Sequence, residues 1–227
     1  MRAFLCPYPI RAGLQTTNVN LYKHIIGNHW VYDRVRPWFL GGLAFHPLFD
    51  WLRVGPDDVV LDVGCGTGMA LHYLTAFQSY HGYDINAKSL EVLKARHPDP
   101  AVHVHAGPVT EDDLRRIRPS RVILAGLLHH LSDMEASALL RMLAGAGHPM
   151  RIVTLDVVHM PGKWMNNLLA VLDRGRYVRS QSGYVELTER SGLKREQILH
   201  LCSGNGLAHY LVFCLRNHIP GDAKCSC

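Results

Sequence analysis

Short apolar runs alternate with helical patterns through most of the chain. Runs rich in Val, Ile, Leu and Tyr predict strands near residues 58–63, 79–84, 101–105, 120–125 and 151–156. Strands that alternate with helices are typical of βαβ units, in which successive strands lie parallel. The pattern therefore predicts an α/β fold built on a parallel sheet.

Helix signals stand between these strands. One helix is predicted to start at Asn86, and another at the capping box formed by Ser132 and Glu135. The second helix has an apolar stripe at the i, i+3, i+4, i+7 spacing, made by Ala136, Leu139, Leu140 and Leu143. Glycines at 145 and 147 are predicted to end it.

The last part of the chain has a different pattern. Two more strands are predicted near 196–201 and 209–215, on either side of the turn Ser203-Gly204-Asn205-Gly206. Strands joined by so short a turn can only be antiparallel. The prediction is therefore five parallel strands followed by an antiparallel C-terminal hairpin, with helices flanking the sheet.

Composition narrows the class of protein. The 227 residues suffice for one sizeable α/β domain, and the net charge of +5 comes from scattered Lys and Arg residues, which argues against nucleic acid as a partner. No apolar run reaches the roughly 18 residues of a membrane span, and Pro7 and Pro9 interrupt the start before a signal-peptide core forms. We therefore expect a cytoplasmic enzyme with no membrane partner.

Cysteine, histidine and acidic residues give no sign of a metal site. The six cysteines form no Cys-x-x-Cys pair, and the 15 histidines show no metal-ligand spacing. Acids do not cluster at the ends of the fourth and fifth strands, and Asp156 alone cannot hold a cation. We predict no metal.

The run from Val59 to Gly68 carries the strongest chemical information. Its apolar half suits a strand covered on both faces, and glycines at 64, 66 and 68 allow a tight turn that approaches a ligand closely. We expect a helix from Met69, whose free N–H groups would point back at the turn. Asp84, at the tip of the second strand, is placed to accept the two ribose hydroxyls of a nucleoside.

The spacing of this loop separates it from other nucleotide sites. It reads Asp-x-Gly-x-Gly-x-Gly, unlike the Gly-x-Gly-x-x-Gly of dinucleotide sites, and it lacks the Gly-Lys-Ser/Thr ending of a triphosphate cradle. Leu-Asp-Val-Gly-Cys-Gly-Thr-Gly at 61–68 instead resembles motif I of class I S-adenosylmethionine-dependent methyltransferases. The resemblance covers roughly residues 55–216 and implies a Rossmann-like, seven-stranded sheet with S-adenosyl-L-methionine as cofactor.

The resemblance also implies a domain organisation. Residues 1–54 would form a helical segment that covers the cofactor and substrate site. Residues 55–227 would form the methyltransferase domain, with a substrate-side insertion at about 157–195 (hereafter the insertion).

Roles for individual residues follow from the same resemblance. The backbone at 64–66 would contact the methionine moiety, Asp62 would orient the loop, Asp84 would hold the ribose, and Ile85 would cover one face of the adenine. Tyr32 would lie near the cofactor carboxylate, although an amphipathic helix packed on the sheet explains its segment equally well. The predicted cofactor-binding set is Tyr32, Asp62, Gly64, Cys65, Gly66, Gly68, Asp84, Ile85, Gly107 and Leu127.

The third strand departs from the family pattern. Many relatives have Gly-Asp after this strand, with the acid near the adenine amino group, whereas here Pro108 follows Gly107. Adenine recognition would then fall to a backbone carbonyl, to Thr110 or to Glu111.

The fourth strand leads into Leu128-His129-His130-Leu131. This stretch resembles small-molecule O-, N- and C-methyltransferases and lacks the Asn/Asp-Pro-Pro-Tyr/Phe loop of nucleobase amino-methyltransferases. Imidazole titrates near neutral pH, so His129 or His130 is a candidate catalytic base. Alternatively, both histidines hold the loop through backbone hydrogen bonds.

Aromatic residues mixed with Asn and Arg in the insertion suggest a grip on an aromatic or anionic acceptor. The alternative is a solvated, charged helix packed by Leu168, Leu169 and Leu172. The predicted substrate residues are Trp30, His129, His159, Trp164, Asn167, Arg176 and Tyr177.

The leading hypothesis is methyl transfer from S-adenosylmethionine to a small organic metabolite or natural product by a monomer or homodimer. One alternative keeps the cofactor but catalyses a cyclisation or elimination, for which motif I would look identical. A non-catalytic binding partner that retains the cofactor fold and an RNA methyltransferase are further alternatives.

Overall fold

The computed structural model describes residues 45–172 and 176–217. The predictions for Trp30 and Tyr32, and most of the 1–54 segment, lie outside the described residues. The strands are β1 (Val59–Val63), β2 (Ser79–Asp84), β3 (Val102–Ala106), β4 (Arg121–Ala125), β5 (Arg151–Val157), β6 (Lys194–Cys202) and β7 (His209–Arg216). The α-helices are α1 (His46–Leu52), α2 (Ala87–Arg96), α3 (Glu111–Ile117), α4 (Asp133–Ala144), α5 (Trp164–Leu172) and α6 (Gln181–Glu189).

The strands of the described residues form one seven-stranded sheet in the order β3-β2-β1-β4-β5-β7-β6. The neighbours from β3 to β5 pair in parallel, and β7 is antiparallel to both β5 and β6. This arrangement confirms the predicted fold class, including the C-terminal hairpin. Order reverses between β1 and β4, where open α/β sheets form a crevice at the carboxyl ends of their strands.

Helices cover both faces of the sheet. One core cluster joins the sheet to Leu48 and Leu52 of α1, Leu93 of α2 and Ala170 of α5. The other cluster joins the opposite face to α3, α4 and α6 through Leu114, Leu140, Tyr184 and neighbouring side chains. The central strands are therefore buried on both sides, as continuous apolar sequences such as Val122-Ile123-Leu124 require.

The predicted start signals of two helices are confirmed. The Asn86 side chain accepts a hydrogen bond from the Lys88 amide at the start of α2. Ser132 and Glu135 form the capping box of α4, which ends at Gly145. These caps satisfy amide groups that have no partner within their own helices.

The helix expected from Met69 is wrong in kind, because the structure has only a single 3₁₀ turn at Met69–His72. The segment 69–78 must travel back along β1, whose five residues span about 17 Å. An α-helix of ten residues would cover only about 15 Å and leave nothing for the turns at its ends. The chain therefore returns by a more extended path.

The insertion contains α5 and α6. Leu168 of α5 is 46% exposed, and Asn166 and Ala170 lie on the buried side. The side chains of Leu169 and Leu172 lie outside the described residues, so the alternative of a charged helix packed by these three leucines stays a prediction. Within the described residues, no helix has the length and apolar character needed to cross a membrane.

Candidate cofactor and active site

The glycine turn (residues 64–68) is fastened to the end of β2. The amides of Gly64 and Cys65 both donate to the Tyr83 carbonyl oxygen, at 2.7 and 3.1 Å. The next amide, that of Gly66, donates to Asp84 Oδ2 at 2.8 Å. The turn and the predicted ribose-binding acid therefore form one hydrogen-bonded unit at the carboxyl edge of the sheet.

The three glycines of this turn have different surroundings. All have positive φ, at +78° for Gly64, +54° for Gly66 and +85° for Gly68, which side chains of L-residues rarely adopt. A Cβ on Gly64 would lie 3.2 Å from Leu127 Cδ1, and one on Gly68 only 2.9 Å from Leu93 Cγ. A Cβ on Gly66 would meet no atom within 4 Å, so this position opens onto space that a ligand can enter.

Asp84 faces the same region with acceptor capacity to spare. Its Oδ1 accepts the Asn86 amide at 2.8 Å, while its Oδ2 holds Gly66. An ionised carboxylate has about four acceptor sites, so two ribose hydroxyls can still be bound. The following residue, Ile85, is 46% exposed, which suits an apolar cover for a purine face.

Asp62 lies beneath the turn, buried to 3% exposure. Its Oδ2 accepts the Tyr80 hydroxyl at 2.6 Å. Burial raises the pKa of Asp62 to about 7, against the opposing effect of the Tyr80 hydrogen bond. The buried Tyr80 hydroxyl thus orients the Asp62 carboxyl group. Tyr80 was not among the predicted site residues, because a tyrosine within a strand was its only signal in the sequence.

Gly82 makes room for the turn from the neighbouring strand. It pairs with Asp62 in the register of β1 and β2. A Cβ at this position would lie 2.8 Å from Cys65 Sγ and 3.0 Å from the Tyr80 ring. Cys65 therefore packs inside the turn as a buried thiol.

After β3, the two side chains considered for adenine recognition are engaged elsewhere. Thr110 caps α3 and bonds Asp113 through its hydroxyl at 2.7 Å, and Glu111 pairs with Arg115. Gly107 has a φ of +120°, and a Cβ at this position would meet no atom within 4 Å. Its amide donates to the Asp84 carbonyl oxygen. The open backbone at Gly107 is the remaining candidate for the adenine contact.

The histidine turn (residues 127–131) follows β4 and includes a 3₁₀ turn at Leu128–His130. The side chain of its first residue, Leu127, packs against Gly64, where a Cβ would lie 3.2 Å from Leu127 Cδ1. The histidine turn therefore adjoins the glycine turn across the β1–β4 crevice.

His129 is tied to the end of β5. Its backbone amide and its ring Nδ1 both contact Asp156 Oδ1, at 3.1 and 2.7 Å. Both residues are about 2% exposed. Burial raises the pKa of Asp156, while the His129 hydrogen bond and charge oppose the shift.

The two histidines of the turn have different environments. The His130 ring is in contact with that of His129, with the centroids 4.1 Å apart, but His130 is exposed. Only His129 combines burial with a carboxylate on one ring nitrogen. When Asp156 is ionised it accepts from Nδ1, which then carries the ring proton and leaves the lone pair on Nε2.

The insertion reaches back to the histidine turn through two residues. The Tyr177 amide donates to the His129 carbonyl oxygen at 3.0 Å. Arg179 Nη1 donates to the Leu128 carbonyl oxygen at 2.7 Å, and its Nη2 to that of Leu131 at 2.8 Å. Arg179 was not among the predicted site residues.

The other predicted substrate residues follow the carboxyl end of β5. Trp164 is 70% exposed and Tyr177 41% exposed. His159 and Arg176 are also exposed. The amide of Asn167 is occupied locally, because it bonds both the amide and the carbonyl oxygen of Met160, at 3.0 and 2.8 Å.

Metal-ligating side chains do not converge in the part of the chain that the structure describes: no group of three or more His, Cys, Asp or Glu residues is arranged to hold an ion. The metal-free site stays a prediction.

Comparison with protein families agrees with this geometry. Residues 60–149, which run from β1 to just before β5, match the family model for a methyltransferase domain. This segment is therefore similar to a methyltransferase domain, in agreement with the class I, S-adenosylmethionine-dependent type that motif I predicts. Among curated proteins, none matches the sequence significantly.

Solved structures share the fold of this chain at low identity. An S-adenosylmethionine-dependent methyltransferase from Mesorhizobium loti is 17% identical with a TM-score of 0.61, covering 78% of this chain and 100% of its own. Geranyl diphosphate C-methyltransferase from Streptomyces coelicolor A3(2), solved with Mg²⁺, geranyl diphosphate and S-adenosyl-L-homocysteine, is 16% identical with a TM-score of 0.59, covering 90% and 84%. A Haloferax volcanii chain solved with the Trm112 methyltransferase activator is 15% identical with a TM-score of 0.62, covering 82% and 92%.

S-adenosylmethionine is the cofactor that motif I predicts, and S-adenosylmethionine-dependent enzymes are among the solved structures that share this fold. The described residues fit it, since the open backbone at Gly66 would receive the methionine moiety and Asp84 the ribose hydroxyls. When bound, it supplies a methyl group activated by the neighbouring sulfonium charge.

Proposed function

We propose that this methyltransferase domain methylates a small organic acceptor, with His129 as the base that removes the acceptor's proton. The observation that carries the proposal is the buried His129–Asp156 pair beside the glycine turn, with 2.7 Å between Nδ1 and Oδ1. Asp156 fixes the ring so that Nε2 bears the lone pair, and it stabilises the positive charge that His129 acquires with the proton.

Methyl transfer asks for few groups beyond such a base. It needs an in-line approach and a site from which water is excluded. Bound S-adenosylmethionine would supply the methyl group to the acceptor atom, and its sulfur would keep the electron pair of the broken sulfur–methyl bond. His129 would take the proton that the acceptor atom loses.

The acceptor side supports a small molecule with apolar and anionic parts. Exposed Trp164, Tyr177 and Arg176 follow the end of β5, and Arg binds planar anionic groups bidentately. Geranyl diphosphate, the molecule bound by the Streptomyces coelicolor enzyme, combines these two properties. It is therefore the first probe to test among small anionic acceptors.

The 1–54 segment is proposed to contribute to the same site. Phe45, where the described chain begins, has its ring 5.8 Å from that of Tyr73, which follows the glycine turn. This contact links the end of the 1–54 segment to the part of the chain that follows the glycine turn. The monomer or homodimer state and the cytoplasmic location stay predictions.

A labelled-methyl assay tests the proposal. The protein is incubated with S-adenosylmethionine carrying a ¹³C methyl group and with either a small-molecule extract, geranyl diphosphate, total RNA or protein. We expect ¹³C in a small molecule, released in equal amount with S-adenosylhomocysteine. Label found only in RNA would contradict the proposal, and so would a product formed without S-adenosylhomocysteine, which is the outcome for a cyclisation or elimination.

Matched histidine variants then test the base. His129→Asn should lower kcat by roughly 10²- to 10⁴-fold, the usual contribution of a positioned base. His130→Asn, in the exposed neighbour, should stay within a few-fold of wild type. Equal losses in the two variants would exclude His129 as the specific base.

A further inference from the structure

The Arg179 side chain concentrates its hydrogen bonds on the histidine turn. The side chain is only 9% exposed. Besides the carbonyl oxygens of Leu128 and Leu131, it bonds the Tyr177 carbonyl oxygen at 3.1 Å through Nη1 and Asp133 Oδ1 at 2.8 Å through Nε. The two carbonyl groups at 128 and 131 stand on either side of the histidines.

A planar guanidinium suits this place for a geometric reason. Its five N–H donors lie in one fixed fork, so it can bond several carbonyl groups at once. The ammonium of a lysine is a compact point charge on a flexible stem and cannot span the same acceptors. A short turn has few internal hydrogen bonds, so its carbonyl groups need partners from outside.

The charge pair with Asp133 explains little of this arrangement. The Asp133 side chain is 87% exposed, although it lies 2.7 Å from Arg179 Nη2. Pairs that face solvent contribute little to stability. The bonds to the carbonyl groups of Leu128 and Leu131 are partly buried, and these are the interactions that restrict the turn.

Arg179 also joins the insertion to the turn from its own backbone. Its carbonyl oxygen accepts the His159 amide at 2.9 Å, and its neighbour Ser180 forms a β-bridge with His159. Tyr177, two residues earlier, donates its amide to the His129 carbonyl oxygen. The segment that supplies the exposed acceptor-side residues is therefore bonded to the segment that carries His129.

We propose that Arg179 is a positioning residue, which holds the backbone of the histidine turn so that the His129 ring keeps its bond to Asp156. Its catalytic importance rests on the proposed function, but its structural effect does not. Asp156 holds His129 from the sheet side and Arg179 holds the turn from the insertion side.

Hydrogen exchange in Arg179→Lys tests the proposal, with Arg190→Lys as the matched control. Arg190 is an exposed arginine paired with Glu186 on α6. In Arg179→Lys we expect the amides of His129 and Tyr177 to exchange at least about tenfold faster, while amides within β5 keep their wild-type rates. Arg190→Lys and Asp133→Asn should both stay within about twofold of wild type.

The ¹⁵N spectrum of the His129 ring provides a readout that general loss of stability would not produce. Wild type should show one ring tautomer, with the proton at Nδ1 beside Asp156, and Arg179→Lys should show exchange between the two tautomers. Unchanged exchange rates and an unchanged ring spectrum in Arg179→Lys would overturn the proposal. An equally large increase in exchange rate in Asp133→Asn would also overturn it, because the charge pair would then be responsible.

Wild-type protein gives a test that needs no folded variant. The Nη protons of Arg179 should be resolved and slow to exchange, whereas those of Arg190 should be averaged; averaged Arg179 protons would contradict the proposal. Calorimetry with S-adenosylmethionine separates the two hypotheses. If wild type does not bind the cofactor, the proposed function is wrong, but the hydrogen-exchange result for Arg179→Lys still stands. If wild type binds it and exchange in Arg179→Lys is unchanged, only the proposed role of Arg179 is wrong.

Discussion

Alanine substitutions at two glycines of the same turn should separate ligand binding from folding. Gly66→Ala and Gly68→Ala both place a side chain at positive φ, +54° and +85° respectively. A left-handed conformation costs roughly 1 to 2 kcal/mol for a residue with a Cβ. Both variants should therefore lose about this much stability from the backbone alone. Their surroundings then make them differ.

At Gly68 the new methyl group would lie 2.9 Å from Leu93 Cγ, in the core contact between the turn and α2. Overpacking of this kind adds roughly 1 to 3 kcal/mol. At Gly66 the methyl group meets no atom within 4 Å, so no packing cost is added. It instead enters the space assigned to the methionine moiety of the cofactor.

The two assays are urea denaturation for the free energy of unfolding and calorimetry for S-adenosylmethionine affinity. We expect Gly68→Ala to be less stable than Gly66→Ala by roughly 1 to 3 kcal/mol. Gly66→Ala should nevertheless bind the cofactor at least about tenfold more weakly than wild type, a loss of about 1.4 kcal/mol. Wild-type affinity in Gly66→Ala, or equal stability of the two variants, would refute the reasoning.

Three further predictions concern the buried groups around the turn and the edge of the sheet. Burial and the neighbouring His103, His105 and Arg116 lower the pKa of His81 to about 4 from 6.5. Its contribution to stability is therefore complete above pH 6.5 and is lost as pH falls toward 4. In a pH series of urea midpoints, His81→Gln should reduce this loss by about 1 to 2 kcal/mol, allowing for partial exposure. The effect of Asp62 on the pH dependence of stability has the opposite sign, because the pKa of Asp62 is raised to about 7 from 3.8. Folding favours the protonated acid, so the stability contributed by this group falls as pH rises from 4 to 7. Asp62→Asn should therefore make the net rise of stability with pH steeper in the same series. Gly82→Ala should lower the free energy of unfolding by roughly 1 to 3 kcal/mol, because the new Cβ would lie 2.8 Å from Cys65 Sγ. The double variant with Cys65→Ala should lose less stability than the sum of the two single losses. Strict additivity in a double-mutant cycle would count against this packing.

The fold could be predicted because its signals are local. Strand-length apolar runs, the capping box at Ser132 and Glu135 and the turn before β7 each act over a few residues, and the structure confirms all of them. The helix after the glycine turn failed because its feasibility depends on the distance that residues 69–78 must cover. Apolar periodicity alone does not contain that distance.

The site could be predicted only where one short segment carries it. Gly66 and Asp84 were found from the loop and the strand end, and they meet at 2.8 Å. The Asp156–His129 pair links residues 27 positions apart, and Arg179 reaches Leu128 across 51 positions. Such contacts depend on which strands become neighbours and on how the insertion returns, so residue types alone do not reveal them.

Cofactor binding tests the central claim most directly. Calorimetry should show wild type binding one S-adenosylmethionine per chain, and Asp84→Ala should weaken binding about a hundredfold or more, since two hydrogen bonds to a charged group are lost. Asp57→Ala, an exposed acid before β1 at the opposite edge of the sheet, should bind as wild type does. No heat of binding from folded wild-type protein, or equal affinities of the Asp84 and Asp57 variants, would contradict the account.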